Sequence, residues 1–561
     1  MKALRASFTE CNGRERAIEL LDSGSYKELL GPFDGFESPH LETQGIVPQS
    51  DDGVTVAKGT LNTQPAVVIS MEGDFQGGGI GEISGAKIAG ALERALIDCE
   101  AGVMTVPIFV FDTGGVRLQE ANYGLLAIAE IGAAIVALRR YVPVIGVIPG
   151  KIGAFGGMSI TAGLCSALIM TREGRLGLNG PEVIEQEAGI REFDSQDRQL
   201  IWRTVGGEQR TASGFADMLA EDDVEAIKEA VTSVIKGEIT LYPRTEQVER
   251  YQTFLWLVNP LQRLSSEEVR ELWSRSEKAV QDEAEVVLDS YKSTSRGKTW
   301  FDLLRGDAEE ISDIPSVRVA DSMIGDKKVR YIAVVPDTHN RFPRSRRGEV
   351  GLEEGWSIAK FVREAIELDQ EDEKRVIVAI VDVPSQAYGY HEEMLGIHQA
   401  CAAAVDAYAS ARLAGHPVIS FIPGKAISGA FLAHGMQANR LIALHDPKVN
   451  VHVMSKQSAA RITQRSLDEL EKATKKVPAM AYDIDSFEKL GALFSVVDGV
   501  EADAPGEKDR DVIYMEIQRA VEDVQMNGST DLSVRLSSSY ARTVGRPASI
   551  LVRRKLNEQW S

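Results

Sequence analysis

The sequence of 561 residues holds only four cysteines, Cys11, Cys99, Cys165 and Cys401, scattered and without a CxxC pair. That scarcity argues against a zinc ribbon and a disulfide scaffold, and it points to a reducing compartment. Long apolar runs are also missing. The longest, Gly124 to Leu138, is broken by Glu130 and falls short of the roughly 20 residues a bilayer span needs. The opening stretch MKALRASFTECNGRER lacks the apolar core of a signal peptide. A cytoplasmic location with no membrane attachment is therefore expected. Positive charge is short as well: 62 Lys and Arg stand against 83 Asp and Glu, a formal net charge of −21, which argues against nucleic acid as a partner. No cluster has metal-ligand spacing, so no metal is expected. The Gly-rich stretch GDFQGGGIGEISGAK fits neither GxGxxG nor GxxxxGK[ST], which leaves little for a dinucleotide or P-loop reading.

What the sequence does have is glycine at strand ends. Pro107–Asp112 reads as a buried strand, Thr113-Gly114-Gly115 as a turn, and Leu118 onward to Leu138 as a helix. A strand that ends in glycines and enters a helix leaves backbone N–H groups at the positive end of the helix dipole, where a negative oxygen can sit. The alternative is a tight connection with no ligand. Pro143–Lys151, PVIGVIPGK, repeats the pattern: a strand, a turn containing Gly153, Gly156 and Gly157, and a small-residue helix from Met158. Two such units close together can each aim one N–H at a shared point, as an oxyanion hole requires. Strand Pro65–Ser70 leads into a helix from about Ile83 to Cys99, with Gly78 and Gly79 in a backbone loop beside the site. Arg14–Leu30 has helical periodicity, and Glu185 reads as a helix-surface carboxylate.

The second half repeats this grammar. PVISFIPGK at Pro417–Lys425 matches PVIGVIPGK at Pro143–Lys151 with an offset of 417 − 143 = 274, and Asp382 follows Asp112 at 382 − 112 = 270. An internally duplicated α/β domain is expected. The second copy departs at its first turn, where Pro384-Ser385-Gln386 replaces the glycines, while Gly429 persists in the second. A helix is expected from about Glu392 to Leu413. Residues 221–294 read as charged helices, with Ser265 and Glu268 at capping-box spacing, and a linker is expected near Ser293–Gly297. This gives two domains, 1–294 and 295–561. Arg341, Arg344, Arg346 and Arg347 gather in one loop of an acidic chain, either as an exposed loop paired to nearby carboxylates or as an anchor for a phosphate or an acidic carrier. The basic tail Arg542–Ser561 is a candidate to wrap a partner subunit.

The motifs GDFQGGGIGEISGAKI, FDTGGVRLQEANYGLLAIAEI, GAFGGMSI and LGLNGPEVIEQEAGIREFDS resemble the β subunit of biotin-independent malonate decarboxylase. From about Ser295, SRGKTWFDLLRG, NRFPRSRRGEVGLEEGW, VDVPSQAYGYHEEMLGIHQACAAAVDAYASARLAGHPVI and KAISGAFLAHGMQANRLIAL resemble its γ subunit, so the chain looks like both subunits fused. The resemblance implies two crotonase-like ββα domains of the carboxyltransferase superfamily. It implies decarboxylation of a malonyl to an acetyl thioester on a phosphopantetheine-type, dephospho-CoA-derived arm of a separate acyl carrier protein subunit. A further α subunit exchanges acetate for malonate on that arm, and no biotin takes part. The candidate amide donors are then those of Gly115 or Val116 and of Gly156 or Gly157. By analogy the second domain offers Gln386 or Ala387 and Gly429, a position that serves the biotin carbonyl in the biotin-dependent relatives. Tyr388, Tyr390 and His391 are the candidate proton donors to the enolate. The alternatives are a biotin-dependent acyl-CoA carboxyltransferase with fused halves, with biotin on another protein because the chain has no Met-Lys-Met motif, and a non-catalytic scaffold for acyl thioesters.

Overall fold

The computed structural model describes residues 6–279, 295–462, 466–476 and 480–561. The expected boundary at 294/295, the linker from Ser293 and the end of the charged helical region lie wholly or partly outside the described residues. The chain divides into two compact units. The first comprises Met1–Glu246, Leu264–Ser274 and Pro547–Ser561; the second comprises Gln247–Arg263 and Arg275–Arg546.

The first unit is built on a seven-stranded sheet in the order β1 (Lys27–Leu29), β2 (Val54–Leu61), β3 (Gln64–Met71), β4 (Val106–Val110), β5 (Ile145–Ile148), β6 (Ala167–Thr171) and β7 (Met218–Ala220). The β1/β2 and β2/β3 pairs are antiparallel and the remainder are parallel. Strands β4, β5 and β6 are buried along their whole length, which is why they read as unbroken apolar runs rather than alternating ones. Helix α1 (Gly13–Leu20) precedes the sheet, α2 (Glu82–Glu100) follows β3, α3 (Ala121–Leu138) follows β4, and α4 (Gly157–Leu164) follows β5. Contrary to the sequence expectation, the helical segment Leu118–Leu138 is long and apolar enough to cross a membrane, yet it is almost wholly buried in the fold. The helix expected over Arg14–Leu30 stops at Leu20: Leu21 turns extended, Gly24 adopts φ +80°, and the remainder becomes β1.

The second unit carries β8 (Val317–Ile324), β9 (Lys327–Val334), β10 (Val376–Ile380), β11 (Val418–Ile422), β13 (Arg440–Leu444) and β15 (Leu493–Val497) in one sheet, in that spatial order. A two-stranded sheet pairs β12 (Lys425–Ile427) with β14 (Asn450–His452). Only β8/β9 is antiparallel in the larger sheet, as β2/β3 is in the first unit. The two sheets thus share order and direction over six strands, and β11 occupies the place of β5 between its neighbours. Helices α5 (Val248–Trp256), α6 (Arg296–Arg305), α7 (Leu352–Leu368), α8 (Tyr390–Met394), α9 (Ile397–Leu413) and α10 (Ser428–Ala433) complete the parts used below. The helix expected from Glu392 to Leu413 is two helices, because Gly396 takes the left-handed conformation at φ +80° between them. Ser265 and Glu268 form the expected reciprocal cap: Ser265 N–H donates to Glu268 Oε2 at 2.7 Å and Glu268 N–H to Ser265 Oγ at 3.2 Å.

The last helix, α11 (Pro547–Gln559), belongs to the first unit and packs on α2. Arg553 pairs with Glu93 at 3.0 Å and with Glu130 at 2.7 Å, and Ser549 donates from its N–H and hydroxyl to Glu82. Within this chain the basic tail therefore closes the first unit, although its sequence position places it in the 295–561 half.

Candidate functional site: two glycine turns

Two turns meet at the carboxyl ends of β4 and β5. Thr113 N–H donates to Gly153 O at 2.8 Å and Phe155 N–H to Thr113 O at 3.0 Å, which lays the turns side by side. Gly115 has φ +104°, and a Cβ on it would stand 2.9 Å from Phe155 O and 3.0 Å from Gly156 Cα. Gly156 has φ +56° and ψ −145°, a region open essentially to glycine alone. The two backbones approach as closely as they do because neither carries a side chain.

The hydrogen-bond pattern separates the candidate donors. Gly115 N–H donates to Thr113 Oγ1 at 3.0 Å and Gly156 N–H to Leu178 O at 3.0 Å, so both are engaged. Val116 N–H and Gly157 N–H find no acceptor among the described residues. Val116 N lies 3.9 Å from the point a Gly156 Cβ would occupy, and Gly157 N is the next backbone nitrogen after that point. Val116 and Gly156 are half-buried, so the cleft between the turns opens at the surface of the unit. Gly157 is also the first residue of α4, where N–H groups have no partner within the helix.

Groups that sequence reasoning passed over hold this arrangement. Asp112, buried at the end of β4, accepts Ile152 N–H at 2.8 Å from the second turn and pairs with Arg16 of α1 at 2.9 Å. Arg16 is fixed in turn by Phe8 O and Thr9 O. Burial raises the Asp112 carboxyl, against the lowering effect of Arg16. Arg117 lies behind Val116 between Asp52 at 2.7 Å and Glu120 at 2.6 Å. Burial lifts Asp52 to about 6, with Arg117 opposing the shift. The repeated Asp at 112 and 382 was the available signal: Asp382 likewise accepts two amides, Lys425 N–H at 3.0 Å and Gly297 N–H at 3.1 Å.

Gly78 and Gly79 support the first turn from below. A Cβ on Gly78 would stand 2.0 Å from Asp112 O, and one on Gly79 would stand 3.1 Å from Arg117 Cα. Their N–H groups donate to Phe75 O and Gln76 O within the loop, so the two residues act through close packing rather than as donors to a ligand.

The second unit is different at the corresponding place. Ala387 N–H donates to Val350 O at 3.0 Å, and Gly429 N–H donates to the side-chain Oε1 of Gln386 at 3.1 Å. Of the amides expected at Gln386 or Ala387 and at Gly429, those of Ala387 and Gly429 are therefore engaged internally. Tyr388 is half-buried. Tyr390 is buried, with the Arg263 guanidinium 3.9 Å from its ring centroid, and His391 Nε2–H donates to Gln262 O at 2.9 Å. Of the arginines, Arg341 is a structural tie: it pairs with Glu353 at 2.6 Å and donates to Leu255 O and Val258 O at the end of α5. Arg346 Nε donates to Asn340 O at 2.9 Å, Arg344 is half-buried, and Arg347 is exposed beside Glu349.

Residues 12–250 match the carboxyl transferase domain and residues 345–560 the malonate decarboxylase gamma subunit. Malonyl-S-ACP:biotin-protein carboxyltransferase MADC of Malonomonas rubra is 40% identical over 283 residues, which are 48% of this chain and 89% of MADC. The chain belongs to the malonate decarboxylase carboxyltransferase family. Malonyl-S-ACP:biotin-protein carboxyltransferase MADD of the same organism is 37% identical over 221 residues, 38% of this chain and 73% of MADD. In Malonomonas rubra MADC and MADD are separate proteins, whereas this chain joins β-like and γ-like parts in one mixed α/β polypeptide with a carboxyl transferase domain. A chain of a Pseudomonas malonate decarboxylase hetero-tetramer solved with malonate is 56% identical, covering 48% of this chain and 97% of that one, at a TM-score of 0.47.

Proposed function

We propose that the chain decarboxylates a malonyl thioester carried on an acyl carrier protein, releasing CO2 and leaving the acetyl thioester. The observation that carries this reading is the pair of unengaged amides, Val116 N–H and Gly157 N–H, beside a close approach of two glycine turns in which a Cβ on Gly115 would stand 2.9 Å from Phe155 O. The carbon–carbon bond to the leaving carboxylate breaks, its electron pair forms the enolate double bond, and negative charge gathers on the thioester oxygen. Amides aimed at that oxygen bind it more tightly in the transition state than in the ground state, and one such donor is worth roughly 2.7–4 kcal/mol. A proton then returns to carbon. The reaction needs no nucleophile from this chain, and Asp112 acts by fixing the separation of the two turns. The arm is the substrate's own handle, supplied with the acyl group by a separate carrier subunit and recharged by an acyl-exchanging subunit. Assembly with those subunits follows the multisubunit character of the malonate decarboxylase relatives.

The carboxyltransferase activity for which MADC and MADD are named favours a second reading, in which the carboxyl group passes to biotin on another protein. One experiment tests both. The chain is incubated with malonyl-loaded carrier and a biotinylated acceptor protein, with and without avidin, and the carrier is weighed by mass spectrometry. Acetyl-carrier formed equally in both arms supports direct decarboxylation. Loss of product with avidin supports transfer to biotin. Carrier binding without any acetyl product leaves a non-catalytic scaffold.

A further inference from the structure

Four positions of the first-unit cleft have counterparts in the second unit, fixed by backbone pairing. Ile80 bridges Val116 as Val350 bridges Gln386, and 386 − 116 = 350 − 80 = 270. Thr113 bridges Ala154 as Val383 bridges Ala426, with 426 − 154 = 272. At that second offset Ser428 stands for Gly156 and Gly429 for Gly157. The backbone agrees: Ser428 holds φ +61° where Gly156 holds φ +56°, although serine rarely adopts that conformation. The first offset sets Ser385 in the place of Gly115. The second unit thus keeps the bridges of the turn pair and the positive φ at Ser428, but furnishes three of its four positions with side chains.

One of those side chains lies where an external oxygen would bind. Gly157 N–H has no acceptor among the described residues, whereas its counterpart Gly429 N–H is taken at 3.1 Å by the carboxamide oxygen of Gln386, a buried side chain. Val116, at the position of Gln386, has no oxygen to offer. A tethered acceptor meets the amide without the loss of translational and rotational freedom that a free carbonyl must bear.

We propose that Gln386 is a built-in occupant of the second turn pair, so that the residue at 116 or 386 selects which turn pair receives a substrate carbonyl oxygen. The chain then presents one oxyanion hole, in its first unit, and the second unit does not offer Gly429 to an acceptor's carbonyl. This rests on the role given above to Val116 and Gly157. It assigns a selecting role to a side chain that the reaction itself does not require.

The test exchanges the two residues in the full chain and reads hydrogen–deuterium exchange at single amides. Val116→Gln should supply the missing acceptor, slow exchange at Gly157 at least tenfold, keep the protein folded by thermal melting, and reduce decarboxylation of malonyl-loaded carrier at least 100-fold. Gln386→Val should speed exchange at Gly429 at least tenfold, while Gln386→Glu, which keeps an acceptor oxygen, should retain protection. If Gln386→Val does not fold, Gln386→Glu and Val116→Gln decide the matter. Unchanged exchange at Gly429 in folded Gln386→Val, lost protection in Gln386→Glu, or parental exchange at Gly157 in Val116→Gln overturns the inference. The exchange readout needs no substrate. A parent chain inactive on loaded carrier would therefore defeat the functional reading and leave the exchange result standing. An active parent with a folded, fully active Val116→Gln variant would defeat the inference alone.

Discussion

Replacing Gly115 with alanine tests the cleft with one methyl group. The new Cβ would stand 2.9 Å from Phe155 O and 3.0 Å from Gly156 Cα, against ordinary contacts of 3.4 Å or more, so the turns must part by about half an ångström. Alanine must also hold φ +104°, a conformation that costs roughly 1–2 kcal/mol away from glycine. Against a typical stability of about 5–15 kcal/mol that strain leaves the unit folded. The catalytic consequence is larger. Val116 N–H moves away from Gly157 N–H, and an oxygen between them keeps one donor instead of two. Loss of one donor corresponds to roughly 2.7–4 kcal/mol, about 100- to 1,000-fold in rate. The loss should fall on kcat with little change in KM, because the charge develops only in the transition state. Rapid-quench single turnovers with malonyl-loaded carrier, alongside a thermal melt, measure both quantities. A Gly115→Ala protein that melts within a few degrees of the parent and decarboxylates at the parental rate would refute the role of this turn.

Three other substitutions probe separate parts of the chain. Lys87 is fully buried and donates to Leu30 O and Asp51 O at 3.0 Å and to Val54 O; Lys87→Met removes all three of these bonds and should cost roughly 3–5 kcal/mol, read as a lower denaturant midpoint. Burial pushes Glu354 up to about 7 from a usual 4.5, so between those values the folded chain holds a proton that the unfolded chain has released. That contribution is fully present below about pH 4.5 and is lost as pH rises through 7. Glu354→Gln should flatten the dependence in melts run across this range, and an unchanged pH profile would exclude Glu354 as its source. Arg347, with 85% of its side chain exposed, is the arginine of its loop most open to an acidic carrier; Arg347→Glu should raise KM a few-fold with kcat kept, and equal KM values would remove the loop from carrier binding.

The parts of the fold written in local pattern were legible in the sequence. Strands β4, β5, β10 and β11 are short apolar runs that end in Gly, Pro or Asp, and their repetition at an offset near 270 announced two like sheets. The glycine turns were legible for the same reason, since Gly115 and Gly156 have no side chain to obscure the demand for positive φ. Which amide was free was not legible. That depends on Thr113 Oγ1 taking Gly115 N–H and on Leu178 O taking Gly156 N–H, and the second of these partners is distant in sequence. Gln386 looked like a donor position and acts through its side-chain acceptor instead, a matter of rotamer rather than composition. Arg341 carries the same charge as Arg347, yet only the folded chain shows that it ties α5 to α7 through Glu353.

Helix α11 has a consequence for the order in which the protein is made. Its apolar face and Arg553 complete the surface of α2, but some 300 residues separate Glu246 from Pro547. At about 5–20 residues per second, a ribosome needs on the order of 15–60 s to travel that distance. For that interval the first unit stands with α2 bare and with Glu93 and Glu130 lacking their arginine partner. Two separately made subunits would meet this requirement by encounter, at a rate set by concentration. In one chain the missing helix arrives on a schedule fixed by translation, and the first unit is the last to be finished.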